Sequence, residues 1–346
     1  MSALVTASWI FSNVGNNTTS EDNEHLRAFG THGNETVFFY YPAALMDFAA
    51  ACLIIFAIVG VFGNFVSILA LSKSKKLRNA TTAFIVNLCV ADLLFCGFSM
   101  PLSALTFLER HWNYGDVLCK LFPLVGYSNG AVSLFSVIAI TINRYILIVH
   151  PNVYRDMYKP RNIAIMIGFI WMSALVLLIF PLFEVWGKFG YDPKVGTCSI
   201  MKLNGRSPKM TFCIVAFGLP SMVFPVCYSR IYWVVHQASE RARKDSLDNV
   251  SINKTALRRS KQELKVLRMI MVIFITFVLC YVPVIVVKIF KKEDDMPILN
   301  IFGYLGFYFS NIINPVIYIV MSNEYRKAYL DLFCFCSAKS PKPPVL

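Results

Sequence analysis

Largely apolar segments alternate with short polar connections along most of the chain. There are seven such segments, each at least about 20 residues long, which is the length that an α-helix needs to cross a bilayer. They cover Leu45–Leu71, Thr82–Leu108, Val117–Val149, Ile163–Phe183, Thr211–Val235, Val266–Phe290 and Leu299–Met321. The pattern predicts an all-α membrane protein whose fold is a bundle of seven transmembrane helices.

The third segment is the one that we expect at the centre of the bundle. Between Lys120 and Arg144 it contains no charged residue but several Gly, Ser, Asn and Thr residues. Small and polar side chains allow close helix contacts and shared hydrogen bonds inside a bundle, and a helix surrounded by lipid gains little from them. From Cys119 to Arg144 the helix would extend about 37 Å, so these two residues would lie at opposite membrane faces.

Basic residues are concentrated in every second connection. They are Lys73, Lys75, Lys76 and Arg78 in the first, Arg155, Lys159 and Arg161 in the third, and Arg241, Arg243, Lys244, Lys254, Arg258, Arg259 and Lys261 in the fifth. Cytoplasmic connections carry such an excess, although the fourth connection, which would lie outside, is basic too. We therefore predict an extracellular tail over residues 1–42, a transmembrane domain over 43–321 and a cytoplasmic segment over 322–346.

The composition narrows the class of protein and its partners. The 346 residues are 56% hydrophobic and 15% charged, with a formal net charge of +13. Because the basic residues lie between apolar segments, anionic lipid headgroups account for them and no nucleic acid is expected as a partner. The ten cysteines and five histidines show no spacing typical of a metal site. We see no acid-base set that would indicate an enzyme.

Both ends of the chain carry signals for modification. The N-terminus lacks the basic start and unbroken apolar core of a cleaved signal peptide, and Asn16, Asn17 and Asn34 match the glycosylation pattern. After the last segment, residues 323–336 place apolar and charged side chains on different sides, which predicts a short amphipathic helix on the inner leaflet. Cys334 and Cys336 at its end are either palmitoylation sites or buried thiols.

Asp92 is the only charged residue near the middle of any apolar segment. A carboxylate at that depth costs at least about 2.5 kcal/mol on insertion scales, so it should face the bundle interior and have partners. The candidates are oxygen-bearing residues of other segments: Asn64, Ser133, Ser310, Asn311 and Asn314. Such a cluster is either an ion or water site, or structural polar packing.

Several motifs, taken together and in this order, resemble those of rhodopsin-like (class A) G-protein-coupled receptors. They are Gly63-Asn64, Leu88-x-x-x-Asp92, Asn143-Arg144-Tyr145, Trp171, Pro220 with Tyr228, Phe277 with Cys280-Tyr281-Val282-Pro283, and Asn314-Pro315-Val316-Ile317-Tyr318. The resemblance covers all seven segments. Within the family, the Asn-Arg-Tyr triplet and Tyr191-Asp192-Pro193 are similar to the melatonin-receptor branch and its insect relatives moody and trapped in endoderm.

The resemblance implies a plasma-membrane receptor that transmits an extracellular ligand signal to heterotrimeric G proteins, with arrestin and a receptor kinase as further partners. It implies a disulfide between Cys119 and Cys198, and an allosteric sodium site at Asp92, Ser133 and Asn314. Either Ser310 or Asn311, which are adjacent in the seventh segment, would complete the sodium site. The residues implied in activation are Asn143, Arg144, Tyr145, Tyr228, Glu263, Phe277, Tyr281, Pro283, Asn314, Pro315 and Tyr318. Kinship with the insect receptors suggests cell migration or barrier maintenance.

Two departures from the family pattern affect the implied mechanism. The usual acid before Arg144 is Asn143 here, so the arginine lacks an adjacent carboxylate. Our hypothesis is that Glu263, at the start of the sixth segment, restrains Arg144 in the inactive state. The usual Trp of the sixth segment is Tyr281, a smaller ring.

We do not expect the ligand to be a biogenic amine. Amine receptors carry an Asp about two turns below the third-segment cysteine, and this chain has Gly126 there. The residues expected around the ligand are Gly126, Tyr127, Asn129, Gly130, Phe277, Tyr281, Tyr304 and Tyr308. They would form an aromatic, mostly neutral pocket, which suits an apolar, lipid-like or indole ligand. The basic fourth connection leaves room for an acidic group or a peptide.

An ion-coupled transporter or channel is the alternative function. It would use Asp92 as a midplane ion site. It would also need a continuous polar path, and the fourth and seventh segments contain no charged residue. The odd number of segments fits poorly with the paired halves of a transporter.

Overall fold

The computed structural model describes residues 42–192, 197–205, 208–244, 250–289 and 297–337. Side chains of residues 241–264, 288–289 and 334–337, and of a few residues elsewhere in the helices, lie outside the description. The predicted glycosylation sites Asn16, Asn17 and Asn34 lie outside the described residues.

Helices make up most of the described chain, with one short β-hairpin. In chain order they are α1 (Ala43–Lys73), α2 (Ala80–Glu109), α3 (Gly115–Val149), α4 (Pro151–Met157), α5 (Pro160–Leu182), β1 (Lys188–Asp192), β2 (Thr197–Met201), α6 (Lys209–Lys244), α7 (Val250–Ile289), α8 (Pro297–Met321) and α9 (Asn323–Ser337). The seven predicted segments correspond to α1, α2, α3, α5, α6, α7 and α8 within the described residues. Within the described ranges, six helices are long and apolar enough to cross a membrane: α1, α2, α3, α5, Lys265–Val287 of α7 and Ile298–Met321 of α8.

Local sequence explains where several helices begin and end. Asn79 precedes α2 and its side chain accepts a hydrogen bond from the Thr82 backbone N–H at 3.0 Å, which satisfies a free donor of the first turn. Pro151 and Pro160 occupy the first positions of α4 and α5, where the missing N–H of proline has no cost. Arg110, with φ 59°, ends α2 in the left-handed conformation.

The α3 helix lies inside the bundle, as expected. It packs against α2, α5, α6, α7 and both strands of the hairpin. Its inward residues include Asn129, Ser133, Ser136 and Thr141, all buried. In contrast, α1 and α5 leave large apolar side chains such as Phe62 and Phe169 exposed. Such exposed faces suit contact with lipid.

The helices approach each other most closely where glycine replaces a side chain. A Cβ placed on Gly60 of α1 would lie 2.4 Å from Cys96 Sγ of α2 and 2.8 Å from a methyl group of Ile312 of α8. A Cβ on Gly306 of α8 would lie 3.1 Å from the carbonyl oxygen of Cys280 on α7. Both positions therefore fix the spacing of neighbouring helices.

The β-hairpin is attached to the outer end of α3. Its strands are antiparallel, with Tyr191 opposite Cys198 and Asp192 opposite Thr197. Cys198 forms a disulfide with Cys119 of α3. The predicted disulfide is thus confirmed, and it holds β2 over the end of the bundle.

The predicted amphipathic helix at the C-terminal end is α9. Tyr325 and Tyr329 are buried, while Arg326 and Lys327 are exposed. The Tyr329 hydroxyl donates a hydrogen bond to Ser67 of α1 at 2.6 Å. The Arg326 guanidinium donates to the last carbonyl groups of α8, those of Ile319 and Val320, both at 3.0 Å. These contacts satisfy orphan carbonyls and anchor α9 beneath the bundle. The side chains of Cys334 and Cys336 lie outside the description.

Candidate functional site

A cavity of about 250 Å³ lies below the hairpin, between α2, α3, α5, α6, α7 and α8. The predicted pocket residues that line it are Gly126, Tyr127, Gly130, Phe277, Tyr281, Tyr304 and Tyr308. Most of the remaining wall is apolar. Among the described residues on the wall, Lys209 is the one that carries a charge, and the sequence alone had not placed it there.

Asn129 is the exception among the predicted pocket residues. At about 100° of turn per residue, it points away from the middle of the arc that Gly126, Tyr127 and Gly130 share. Its side chain is buried below the cavity and its amide nitrogen donates to Asn311 Oδ1 at 3.1 Å. The expectation that Asn129 faces the ligand is therefore corrected. Asn129 belongs to a layer of buried polar residues beneath the cavity, called the polar layer below, which also contains Asn64, Asp92, Ser133, Ser310, Asn311 and Asn314.

Aromatic rings form the floor of the cavity. Tyr281 stacks on Phe277 with ring centroids 4.0 Å apart and meets Phe307 edge-on at 5.0 Å. Phe307 in turn meets Phe95 edge-on at 5.4 Å. The Tyr281 hydroxyl is hydrogen-bonded to Ser310. The Tyr281 side chain thus contacts both the cavity and the polar layer beneath it.

Phe95 and Ser99 reach the cavity from a π-helical turn of α2 that covers Phe95–Ser99. Such turns insert an extra residue into a helix and are frequent at functional sites. The Ser99 side chain is 1% exposed, and its Oγ has no hydrogen-bond partner among the described residues. The apolar run of α2 gave no signal for this turn.

The polar layer is centred on Asp92 of α2, which is 1% exposed. Its two oxygens accept hydrogen bonds from Ser133 of α3 at 3.2 Å and from Asn314 of α8 at 2.8 Å. Two of the predicted partners therefore bond to Asp92 directly. The carboxylate joins three helices near the middle of the bundle.

Asn311 is the second centre of the polar layer. Its backbone oxygen accepts from Asn64 of α1 at 3.0 Å, and its side chain joins Asn129 and Ser310. Ser310 donates to the Phe307 carbonyl at 2.7 Å. Ser310 and Asn311 thus form the upper part of the cluster, toward the cavity.

The donor set of the polar layer fits a hard monovalent cation. It offers a carboxylate, hydroxyl groups and the amide oxygens of Asn64 and Asn129, which have no hydrogen-bond partner within the described part of the chain. Hard cations take such oxygen ligands. The described residues contain no group of three or more His, Cys, Asp or Glu that could hold a metal ion, so the layer does not resemble a transition-metal site.

The inner end of α3 carries Asn143 and Arg144, both buried. Asn143 Oδ1 accepts a hydrogen bond from Thr81 of α2 at 2.6 Å, and the Tyr158 side chain lies next to Asn143. Tyr158 follows α4, and burial raises the pKa of its phenol to about 12. Asn143 therefore connects α3 to α2 and to the loop after α4.

Arg144 lies near the start of α9. Its charge acts on Tyr325: burial raises the pKa of this phenol, and the Arg144 guanidinium is among the groups that lower it. Tyr325 meets the fully buried Tyr318 edge-on, with centroids 6.1 Å apart. The Glu263 side chain lies outside the description, so its pairing with Arg144 stays a prediction.

The remaining activation residues lie on α3, α6, α7 and α8. The Tyr228 hydroxyl donates to the Leu267 carbonyl at 3.0 Å and so joins α6 to α7. Tyr145 is partly buried against a cluster of Ile231, Val235 and Leu267. Its ring meets His150 edge-on. Pro283 and Pro315 interrupt the hydrogen bonding of α7 and α8.

Comparisons with known proteins agree with this arrangement. The sequence profile of the 7 transmembrane receptor (rhodopsin family) matches residues 63–318. The receptor moody of Drosophila pseudoobscura pseudoobscura is 34% identical over 88% of this chain, and the match spans 55% of moody. Protein trapped in endoderm-1 of Drosophila melanogaster is 37% identical over 85% of this chain and 79% of its own length. Melatonin receptor type 1C of Xenopus laevis is 29% identical over 81% of the chain and 66% of its length.

The fold also matches a solved structure. Squid rhodopsin superimposes with a TM-score of 0.75, covering 87% of this chain and 89% of the squid protein, at 24% identity. The predicted seven-helix fold and the resemblance read from the motifs are thereby confirmed. The chain spans about half the length of moody.

Proposed function

We propose, because this chain belongs to the rhodopsin family of seven-transmembrane receptors, that it binds a small extracellular ligand in the cavity and activates heterotrimeric G proteins at its inner face. Its place would be the plasma membrane, with the N-terminus outside. The basic first and third connections lie at the Arg144 end of the bundle, and the disulfide-linked hairpin lies at the other end.

One observation chiefly supports this function: the same helix, α3, lines the cavity at its outer part and carries Arg144 at its inner end. Gly126 lines the cavity, and Arg144 lies about 27 Å further along the same helix. A parallel route runs down α8, from Phe307 through Ser310 and Asn314 to Tyr318. A ligand at the cavity can therefore affect the inner face through packed helices. It can do so only by binding one arrangement of them better than another.

The cavity favours a mostly apolar ligand without an amine. Its described wall has no carboxylate to pair with an ammonium, and aromatic rings make up much of it. An indole or a small lipid-like molecule fits these walls, and a larger peptide would have to bind at the hairpin. Arrestin and a receptor kinase, acylation of Cys334 and Cys336, and a role in cell migration or barrier maintenance stay predictions.

The polar layer would hold sodium through Asp92, Ser133, Ser310, Asn311 and Asn314. A cation there would supply counter-charge to the Asp92 carboxylate, which is otherwise stabilised by two hydrogen bonds. Because the layer lies between the cavity floor and the inner face, its occupancy would favour one packing of the helices over another.

Nucleotide exchange tests the proposed function directly. The purified full chain, reconstituted in lipid nanodiscs, should accelerate guanine-nucleotide exchange on at least one class of heterotrimeric G protein without added ligand. Arg144→Ala should remove the acceleration. The matched control is Arg155→Ala, which changes an exposed arginine of α4. Exchange no faster than with empty nanodiscs, for every G-protein class and for a folded receptor, would reject the proposal. Sodium flux through vesicles containing the protein would favour a transporter or channel instead.

A further inference from the structure

We propose that the cavity selects a small amphipathic carboxylic acid, with its acid group at Lys209 and its apolar body against the aromatic floor. This inference rests on the proposed receptor function and goes further by naming the class of ligand. It is carried by three features of the outer wall: the position of Lys209, the placement of its partner Asp192, and the hydroxyl of Thr197.

Lys209 is the first residue of α6 and lies on the cavity wall. Its Nζ is 3.4 Å from Asp192 Oδ2 at the end of β1, and the two side chains are 26% and 14% exposed. Asp192 is not on the wall. Lys209 therefore contributes a cationic side chain to the wall, while the carboxylate that it pairs with is not a lining residue.

An incoming carboxylate would compete with Asp192 for the Lys209 ammonium. A charge-assisted N–H···O bond usually measures about 2.7–2.9 Å, so the contact at 3.4 Å is a long one. A lysine ammonium has three donors, so an incoming carboxylate can share it with Asp192 or replace Asp192. The surrounding wall is mostly apolar, which strengthens such a charged contact relative to water.

Thr197 supplies a second donor at the same place. It is opposite Asp192 in the β-hairpin and lines the cavity. Its Oγ1 is buried and has no hydrogen-bond partner among the residues that the structure describes. A ligand oxygen near Lys209 would satisfy this hydroxyl as well, since buried polar groups are normally hydrogen-bonded.

The rest of the wall determines the body of the ligand. Phe277, Tyr281 and Phe307 offer ring faces and edges, which favour a flat or compact apolar group. The Ser99 hydroxyl, on the π-helical turn of α2, has no partner within the described part of the chain and can accept or donate one hydrogen bond. An aromatic acid with one polar ring atom would use all of these groups.

The chemistry also excludes other classes of ligand. A cationic ligand would bring its charge close to Lys209 and find no carboxylate on the described wall. A neutral alcohol of the same shape would keep the apolar contacts but lose the charge-assisted bond. The acid should therefore bind at least about tenfold more tightly than the alcohol.

Binding of matched compounds to the purified full chain tests the inference. The first series is indoleacetate, tryptophol and tryptamine, and the second is nonanoate, nonanol and nonylamine. Apparent dissociation constants come from ligand-dependent thermal stabilisation of the receptor in nanodiscs. In at least one series the acid should bind at least about tenfold more tightly than the alcohol, and the amine least tightly.

Variants assign any acid preference to Lys209. Lys209→Gln should bring the acid down to the affinity of the alcohol, whereas Lys209→Arg should keep the preference. Asp192→Asn should strengthen acid binding, because it removes the competing carboxylate. The matched control is Lys202→Gln. Lys202 is an exposed lysine between β2 and α6, and it does not line the cavity.

Either of two results would overturn the inference: no preference for the acid in either series, or a preference that survives Lys209→Gln. Nucleotide exchange measured on the same preparations separates this failure from failure of the proposed function. A receptor that accelerates exchange but shows no acid preference has another class of ligand. One that prefers acids but never accelerates exchange keeps the ligand class and loses the proposed coupling.

Discussion

Asn314 of α8 donates a hydrogen bond to Asp92 of α2 across 2.8 Å, and both residues are buried. The contact places an amide and a carboxylate from distant parts of the chain at the middle of the bundle. Since α8 also reaches the cavity floor, a change in the packing of its residues there would act on this contact. Asp92 is therefore a suitable residue for testing whether the cavity is coupled to the inner face.

Sodium should lower the basal nucleotide exchange of the wild-type receptor when sodium chloride replaces choline chloride at constant ionic strength. Asp92→Asn should remove this sensitivity, because the neutral amide cannot balance the charge of a cation. The measurement is exchange on a G protein across a sodium titration. A wild-type receptor that ignores sodium would assign the polar layer to structural packing alone.

Asn143→Asp should reduce basal exchange several-fold. The new carboxylate would lie beside Arg144 and hold its guanidinium by charge, while Thr81 could still donate its hydrogen bond. Initial exchange rates at equal receptor concentration measure the effect. Asn143→Ala is the control, since it removes the Thr81 contact without adding charge. Equal rates for wild type and Asn143→Asp would show that Arg144 is restrained by other groups.

Tyr281→Phe should destabilise the receptor by about 0.5–1.5 kcal/mol, because it removes the hydrogen bond to Ser310 and keeps the ring stack on Phe277. Ser310→Ala removes the partner. If the hydroxyl acts through Ser310, the double variant should lose less stability than the sum of the two single variants. Thermal melting of the three variants in detergent gives the comparison, and strict additivity would mean that the two groups act independently.

Gly60→Ala should cost about 1–3 kcal/mol of stability, because its Cβ would overlap Cys96 and Ile312. The matched control is Gly168→Ala on α5, where a Cβ would meet nothing within 4 Å. Adding Cys96→Ala to the Gly60 variant should recover part of the loss by removing the sulfur atom. If both glycine variants melt alike, the close approach of α1 and α2 at Gly60 contributes little.

The apolar runs alone were sufficient to predict the seven long helices of the bundle, which are α1, α2, α3, α5, α6, α7 and α8. In a bilayer each spanning segment must satisfy its own backbone hydrogen bonds, so length and hydropathy determine a transmembrane helix locally. Asp92 could be assigned to the bundle interior for a similar reason, since a carboxylate facing lipid is too costly. Motifs such as Asn314-Pro315 and Asn143-Arg144-Tyr145 then indicated the family.

Tertiary packing decided which residues meet. The sequence showed that Asn129 lies near Gly126 and Gly130, but the direction of its side chain depends on the rotation of α3 against α8. In the structure Asn129 donates a hydrogen bond to Asn311 of α8 and so belongs to the polar layer. Lys209 was one basic residue among several in the fourth connection. Its place on the cavity wall arises because β1 and α6 come together at the Asp192 contact. The pairing of side chains from distant segments depends on the rotation and spacing of whole helices, which no local pattern contains.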